Sequence, residues 1–192
     1  MNFVLNGKDY EVLVHGHPLS EEELCAFEAQ IHIRLPPQLR SYYLKWNGGL
    51  ACPSDLPEGS SVWVKLQWPV KILNADLDQA TSVRKFFIIN AQGETDFFSI
   101  WSAYEKHIPK GYLCFSQDPV GSLFLISTQE RSLGQIFFWP RQFGGGLDGD
   151  DSRTETELAF IVGSVTEFLL LMREEPNNDE PLEDWVKRMY PE

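Results

Sequence analysis

Three short runs in the second half of the chain constrain its fold more than any other feature: YLCF from Tyr112, SLFLIS from Ser122 and GQIFFW from Gly134. Each is apolar at consecutive positions, where a half-exposed strand would alternate. Such a strand must be covered on both faces, so the three runs are read as central strands of a sheet, separated by turns. The first turn is Asp118-Pro119-Val120-Gly121. An aspartate there can accept backbone N–H groups, proline presets φ and glycine lets the chain re-enter the sheet, so Asp118 and Gly121 are read as structural.

The rest of the sequence supplies the cover. Asn6-Gly7 between FVL and YEVLV marks a hairpin, because both turn positions favour positive φ. Ser20 to Glu23 forms a capping box, with Leu19 and Leu24 as a hydrophobic staple, and Leu24, Phe27 and Ile31 share one helical face. A second helix starts at Pro36-Pro37, repeats apolar residues at Leu39, Tyr42, Tyr43 and Trp46, and stops at Asn47-Gly48-Gly49, which supply left-handed residues. VWVKL (62–66), KFFIIN (85–90) and ELAFIV read as further strands, and residues 99–107 as a short helix. Ser164 to Glu167 is a second capping box, opening a closing helix with Val165, Phe168, Leu169 and Met172 on one face. The expected fold is α+β: a single domain, a mostly antiparallel sheet packed against N-terminal helices and a closing C-terminal helix. Its expected bounds are residues 1–176, followed by an acidic tail, 177–192, with a short helix at 182–190.

Charge is unevenly placed. Residues 1–147 carry 12 basic and 15 acidic side chains, and residues 148–192 carry 4 and 13. A field of that sign repels phosphate backbones, so nucleic acid is excluded as a partner and a basic protein is favoured. No apolar run reaches the length of a membrane span, and the first residues lack the basic-then-apolar pattern of a secretion signal. Three scattered cysteines suit a reducing compartment, so a cytoplasmic location is expected.

Catalytic patterns fail one by one. His15-Gly16-His17 offers two imidazoles without a third ligand nearby, and Asp148, Asp150 and Asp151 miss a calcium loop because the sixth place is Arg153 and the twelfth Ala159. Gly144-Gly145-Gly146 lacks the Lys-Ser/Thr of a phosphate loop. No serine elbow occurs, and no cysteine has an adjacent base. The reading is a non-enzyme without metal or cofactor.

LPPQLRSYYLKWNGG, IPKGYLCFSQDPVGSLFLIS, GQIFFW and VGSVTEFLLLM, in that order, resemble the signature segments of the SUKH superfamily. The resemblance implies an α+β fold without catalytic residues. It also implies a protein-binding role: many bacterial members are immunity proteins that neutralise a toxin, often a nuclease, and others are regulatory adaptors of cell-wall signalling. For a toxin partner with a basic active site, Asp148, Asp150 and Asp151 are the expected steering charges, and Trp63 and Trp68 the expected anchors.

Overall fold

In a computed structural model, residues 2–56, 61–68, 79–93, 96–140, 158–176 and 179–191 are described. The chain opens with the hairpin β1 (Asn2–Leu5) and β2 (Lys8–Leu13), then α1 (Glu21–Ile31), α2 (Pro37–Trp46), β3 (Leu50–Pro53) and β4 (Val62–Lys65). It continues through β5 (Ala80–Val83), β6 (Lys85–Phe86), α3 (Phe97–Tyr104), β7 (Tyr112–Gln117), β8 (Leu123–Ser127) and β9 (Ile136–Trp139). β10 (Ala159–Val162), α4 (Val165–Leu171), β11 (Arg173–Glu174) and α5 (Leu182–Met189) complete it. The fold is α+β, and every paired strand is antiparallel.

The strands form three sheets among the described residues, in the orders β1-β2-β3, β10-β9-β8-β7-β6 and β11-β4-β5. Single backbone bridges stitch them together. Gly49 and Phe86 exchange N–H···O bonds of 3.1 and 2.9 Å, and Gln67 and Phe160 exchange two of 2.9 Å. The central sheet contains the three apolar runs, and every residue of β8 is buried, as its continuous apolarity requires. Between Cys114 and Ser116 the β7–β8 register shifts, so an extra residue, Phe115, bulges from the ladder. Its ring is buried 4.8 Å from Phe86 and 5.8 Å from Phe168.

The helices start and stop where their chemistry dictates. In α1, Ser20 Oγ accepts from the Glu23 N–H at 3.2 Å while Glu23 Oε2 accepts from the Ser20 N–H at 2.8 Å. α4 differs in one bond: Ser164 Oγ caps the Glu167 N–H, but Glu167 reaches past the cap to the Gly163 N–H at 2.9 Å. Phe168 of α4 is fully buried at the centre of the core, against Phe86, Phe115 and Phe124.

Two expectations change. KFFIIN is a strand only over Lys85–Phe86, because the side chain of Asn47 takes the backbone groups of Ile89. Within residues 177–192, expected as an acidic tail with a short helix at 182–190, that helix forms as α5 and docks on the β11-β4-β5 sheet. Trp185 is fully buried there with Val186 and Ala80, and the Tyr190 hydroxyl donates to the Leu171 carbonyl at 2.8 Å. On the outer side of α5, Arg188 pairs with Glu180 at 2.7 Å and with Glu174 of β11 at 3.3 Å.

Candidate functional site

The two turn segments singled out in the sequence are occupied mainly with backbone. Asn47 caps α2 in the left-handed region and is fully buried, and its amide group bonds both backbone groups of Ile89. Gly48 and Gly49 follow with φ of 80° and 82°. A Cβ on Gly48 would run into the Phe87 carbonyl, and one on Gly49 would lie 2.6 Å from the Leu13 carbonyl oxygen, so both positions demand glycine on two grounds.

Asp118 is buried, and its Oδ1 accepts from the N–H groups of Val120 (3.0 Å) and Ser122 (2.8 Å). Its Oδ2 accepts from Thr81 Oγ1 at 3.4 Å, which ties the β7–β8 turn to β5. Gly121, at φ 90°, lets the chain turn back. A carboxylate so engaged shapes a turn and has no reach to a substrate.

The tryptophans lie elsewhere. Trp63, on β4, is half-buried with its ring edge-on to Trp185 at 6.1 Å, so α5 covers it. Trp68 is half-buried and edge-on to Phe138 at 6.3 Å. Asp148, Asp150, Asp151 and the triple glycine before them lie outside the described residues.

Nucleophile and ligand candidates do not converge. β2 ends at Leu13, Val14 turns at φ 50°, and His15 Nδ1 lies 2.6 Å from the Gly16 carbonyl oxygen while His17 faces Glu23 at 3.9 Å. Burial pushes the Cys114 thiol up to about 12 and the Cys52 thiol up to about 11, which keeps both protonated at neutral pH. Among the described residues no group of three or more His, Cys, Asp or Glu is placed to hold a metal ion. No helix among them is long and apolar enough to cross a membrane.

What the described surface does offer is a groove of about 480 Å³ between β1, α2 and α4. All four β1 residues line one side, and Tyr42, Trp46, Val165 and Leu169 are among those on the other. Gln38 holds the two helices together by accepting the Thr166 N–H at 3.1 Å. A smaller hollow of about 270 Å³ adjoins it at Gln38 and Val165 and reaches the exposed Leu133. Sequence reasoning did not find this groove, because its walls come from three segments well separated in the chain. The one local hint was a lysine, Lys45, beside the inward-facing Trp46.

Comparison with curated proteins returns no match. The family model described as the SMI1 / KNR4 family (SUKH-1) matches residues 18–171, which contain α1 to α4 and the whole central sheet. The chain therefore belongs to the SMI1/KNR4 family (SUKH-1).

Proposed function

We propose that this chain is a non-catalytic, cytoplasmic protein-binding module that acts as an immunity protein, occluding the active site of a toxin domain. Family membership over residues 18–171 carries the reading. The engagement of Asp118 by backbone and the high thiol pKa values of Cys52 and Cys114 support a role without chemistry. The acidic excess of residues 148–192 supports a basic partner, as the cleft of a nuclease must be to hold phosphate. In this reading Asp148, Asp150 and Asp151 steer the encounter, and Trp68 is a better anchor than Trp63, which α5 covers.

The test begins with the gene encoded directly upstream. Its C-terminal domain, expressed alone, should arrest growth, and co-expression of this chain should restore it through a stable complex. Association should slow with added salt, and a variant with all three aspartates changed to asparagine should associate more slowly and with a flatter salt dependence. An upstream product that is harmless, or whose toxicity this chain leaves untouched, would overturn the immunity reading in favour of a regulatory adaptor.

A further inference from the structure

The groove beside β1 has an unused sheet edge as one wall. β1 is the outer strand of its sheet and pairs only with β2 among the described residues, in the register Leu5↔Lys8, Val4↔Asp9, Phe3↔Tyr10 and Asn2↔Glu11. In a hairpin closed by two residues, here Asn6 and Gly7, the flanking pair exchanges both hydrogen bonds and the pairs then alternate. Leu5 and Phe3 are thus spent on β2, and Asn2 and Val4 direct their N–H and C=O groups outward. No other backbone hydrogen bond among the described residues takes them up.

The opposite wall is apolar and close. Phe3 packs against Trp46 with ring centroids 4.5 Å apart, so β1 is held to α2 along one margin while the groove opens along the other. Tyr42 Oη and Trp46 Nε1, on residues that line the groove, are buried donors without an acceptor among the described residues. Charge completes the description. Lys45 is the one charged side chain among the lining residues, in a chain of net charge −12, and its Nζ sits 4.4 Å from the Trp46 ring centroid.

We propose that this groove docks an extended segment of a partner protein, which adds to the free edge of β1 as a further strand and sets a carboxylate beside Lys45. A strand is the occupant that satisfies the outward backbone groups of Asn2 and Val4 together, which a helix cannot do. Four residues at about 3.3 Å each match the length of β1. Alternate side chains of the incoming segment face Tyr42, Val165 and Leu169, and those between face solvent, so the segment carries apolar residues at every second position with an acidic residue at the Lys45 end. β1 lies outside residues 18–171 whereas α2 and α4 lie within them, so the docking site joins this chain's own hairpin to the family core. None of this depends on the partner being a toxin.

The probe is a random peptide library displayed on phage and selected on the immobilised full chain, followed by synthesis of the enriched peptide. We expect an alternating apolar pattern with an acidic residue, and slowed amide exchange at Val4 when the peptide is bound to the unaltered protein. Val4→Pro removes an N–H that β2 does not use and should weaken binding about tenfold, whereas Val4→Ala should leave it nearly unchanged. Lys45→Glu should abolish the preference for the acidic residue. Selection without an alternating pattern, or a bound peptide that leaves Val4 exchange unaltered, overturns the proposal. So does equal weakening by Val4→Pro and Val4→Ala. The exchange measurement needs no variant, so it stands even if Val4→Pro disturbs the hairpin.

Discussion

Asn47 and Ile89 are joined by two hydrogen bonds of 2.9 Å: Asn47 Nδ2 donates to the Ile89 carbonyl, and the Ile89 N–H donates to Asn47 Oδ1. The side-chain amide thus plays the part of a neighbouring strand's peptide, deep inside the protein and at the end of α2. Asparagine suits the place twice over, because it also tolerates the left-handed backbone found there at φ 48°. Asn47→Ala strands two buried backbone groups and puts a Cβ residue without local hydrogen bonding in that conformation. The expected loss is about 3–5 kcal/mol, read from the denaturant midpoint. A loss below about 1 kcal/mol would mean that water replaces the amide.

Phe168 gathers the rings of Phe86, Phe115 and Phe124 at centroid distances of 6.1, 5.8 and 5.5 Å. These three come from β6, β7 and β8, so one side chain on α4 fastens the helix to three of the five strands of the central sheet. Phe168→Ala should cost roughly 3–5 kcal/mol, because neighbours drawn from a bulged ladder have little freedom to collapse into the space. Phe168→Leu should cost well under half of that. Equal losses for the two substitutions would show that the site needs the aromatic shape itself and not the filled volume.

Tyr190 links α5 to the end of α4 through the Leu171 carbonyl, and burial pushes its phenol up to about 12 despite the opposing pull of Arg173. The folded value lies above the unfolded value near 10, so the neutral phenol contributes stability that is whole below pH 10. That contribution is lost as pH rises through about 12. Tyr10, Tyr42 and Tyr43 are raised in the same direction, so the parent protein should lose stability steadily over this range. Tyr190→Phe should cost about 1 kcal/mol at neutral pH and make the alkaline decline shallower. Chemical unfolding of parent and variant at pH 8, 10 and 11 decides it, and parallel declines would sink the assignment.

Local chemistry made much of this fold legible. The capping box at Ser20, the proline start of α2 and its Asn47-Gly48-Gly49 stop, and the burial of both faces of β7 and β8 all follow from residues within a few places of one another. Most of what stayed hidden depends on distant partners, the start of α3 being the exception. α3 begins at Phe97, two residues before the reading from residue 99, because Asp96 caps it by accepting the Ser99 N–H at 2.9 Å. The breaks between sheets fall where single bridges replace ladders, which no strand pattern records. The short helix at 182–190 was legible, but the acids around it were conspicuous, and the docking of its apolar stripe, Leu182, Trp185, Val186 and Met189, on the β11-β4-β5 sheet was not. The groove was harder still, since β1 carries only the ordinary alternation of an edge strand.

The three cysteines supply a test of the non-catalytic reading that needs no partner. Cys25 is exposed on α1, where Arg40 Nη2 lies 3.3 Å from its sulfur. Cys52 is half-buried, and burial, with Glu11 adding to it, sets its thiol at about 11. Cys114 is enclosed in β7, and its thiol stands at about 12. At pH 8 a thiol with such a value is ionised to about one part in a thousand or less, and the thiolate is the reactive form. A disulfide reagent should therefore titrate one thiol per chain promptly, a second slowly, and the third only in denaturant. Cys25→Ser should remove the prompt phase and leave stability nearly unchanged. A prompt thiol persisting in that variant would place a reactive sulfur at Cys52 or Cys114, and with it the activated nucleophile that an immunity protein has no use for.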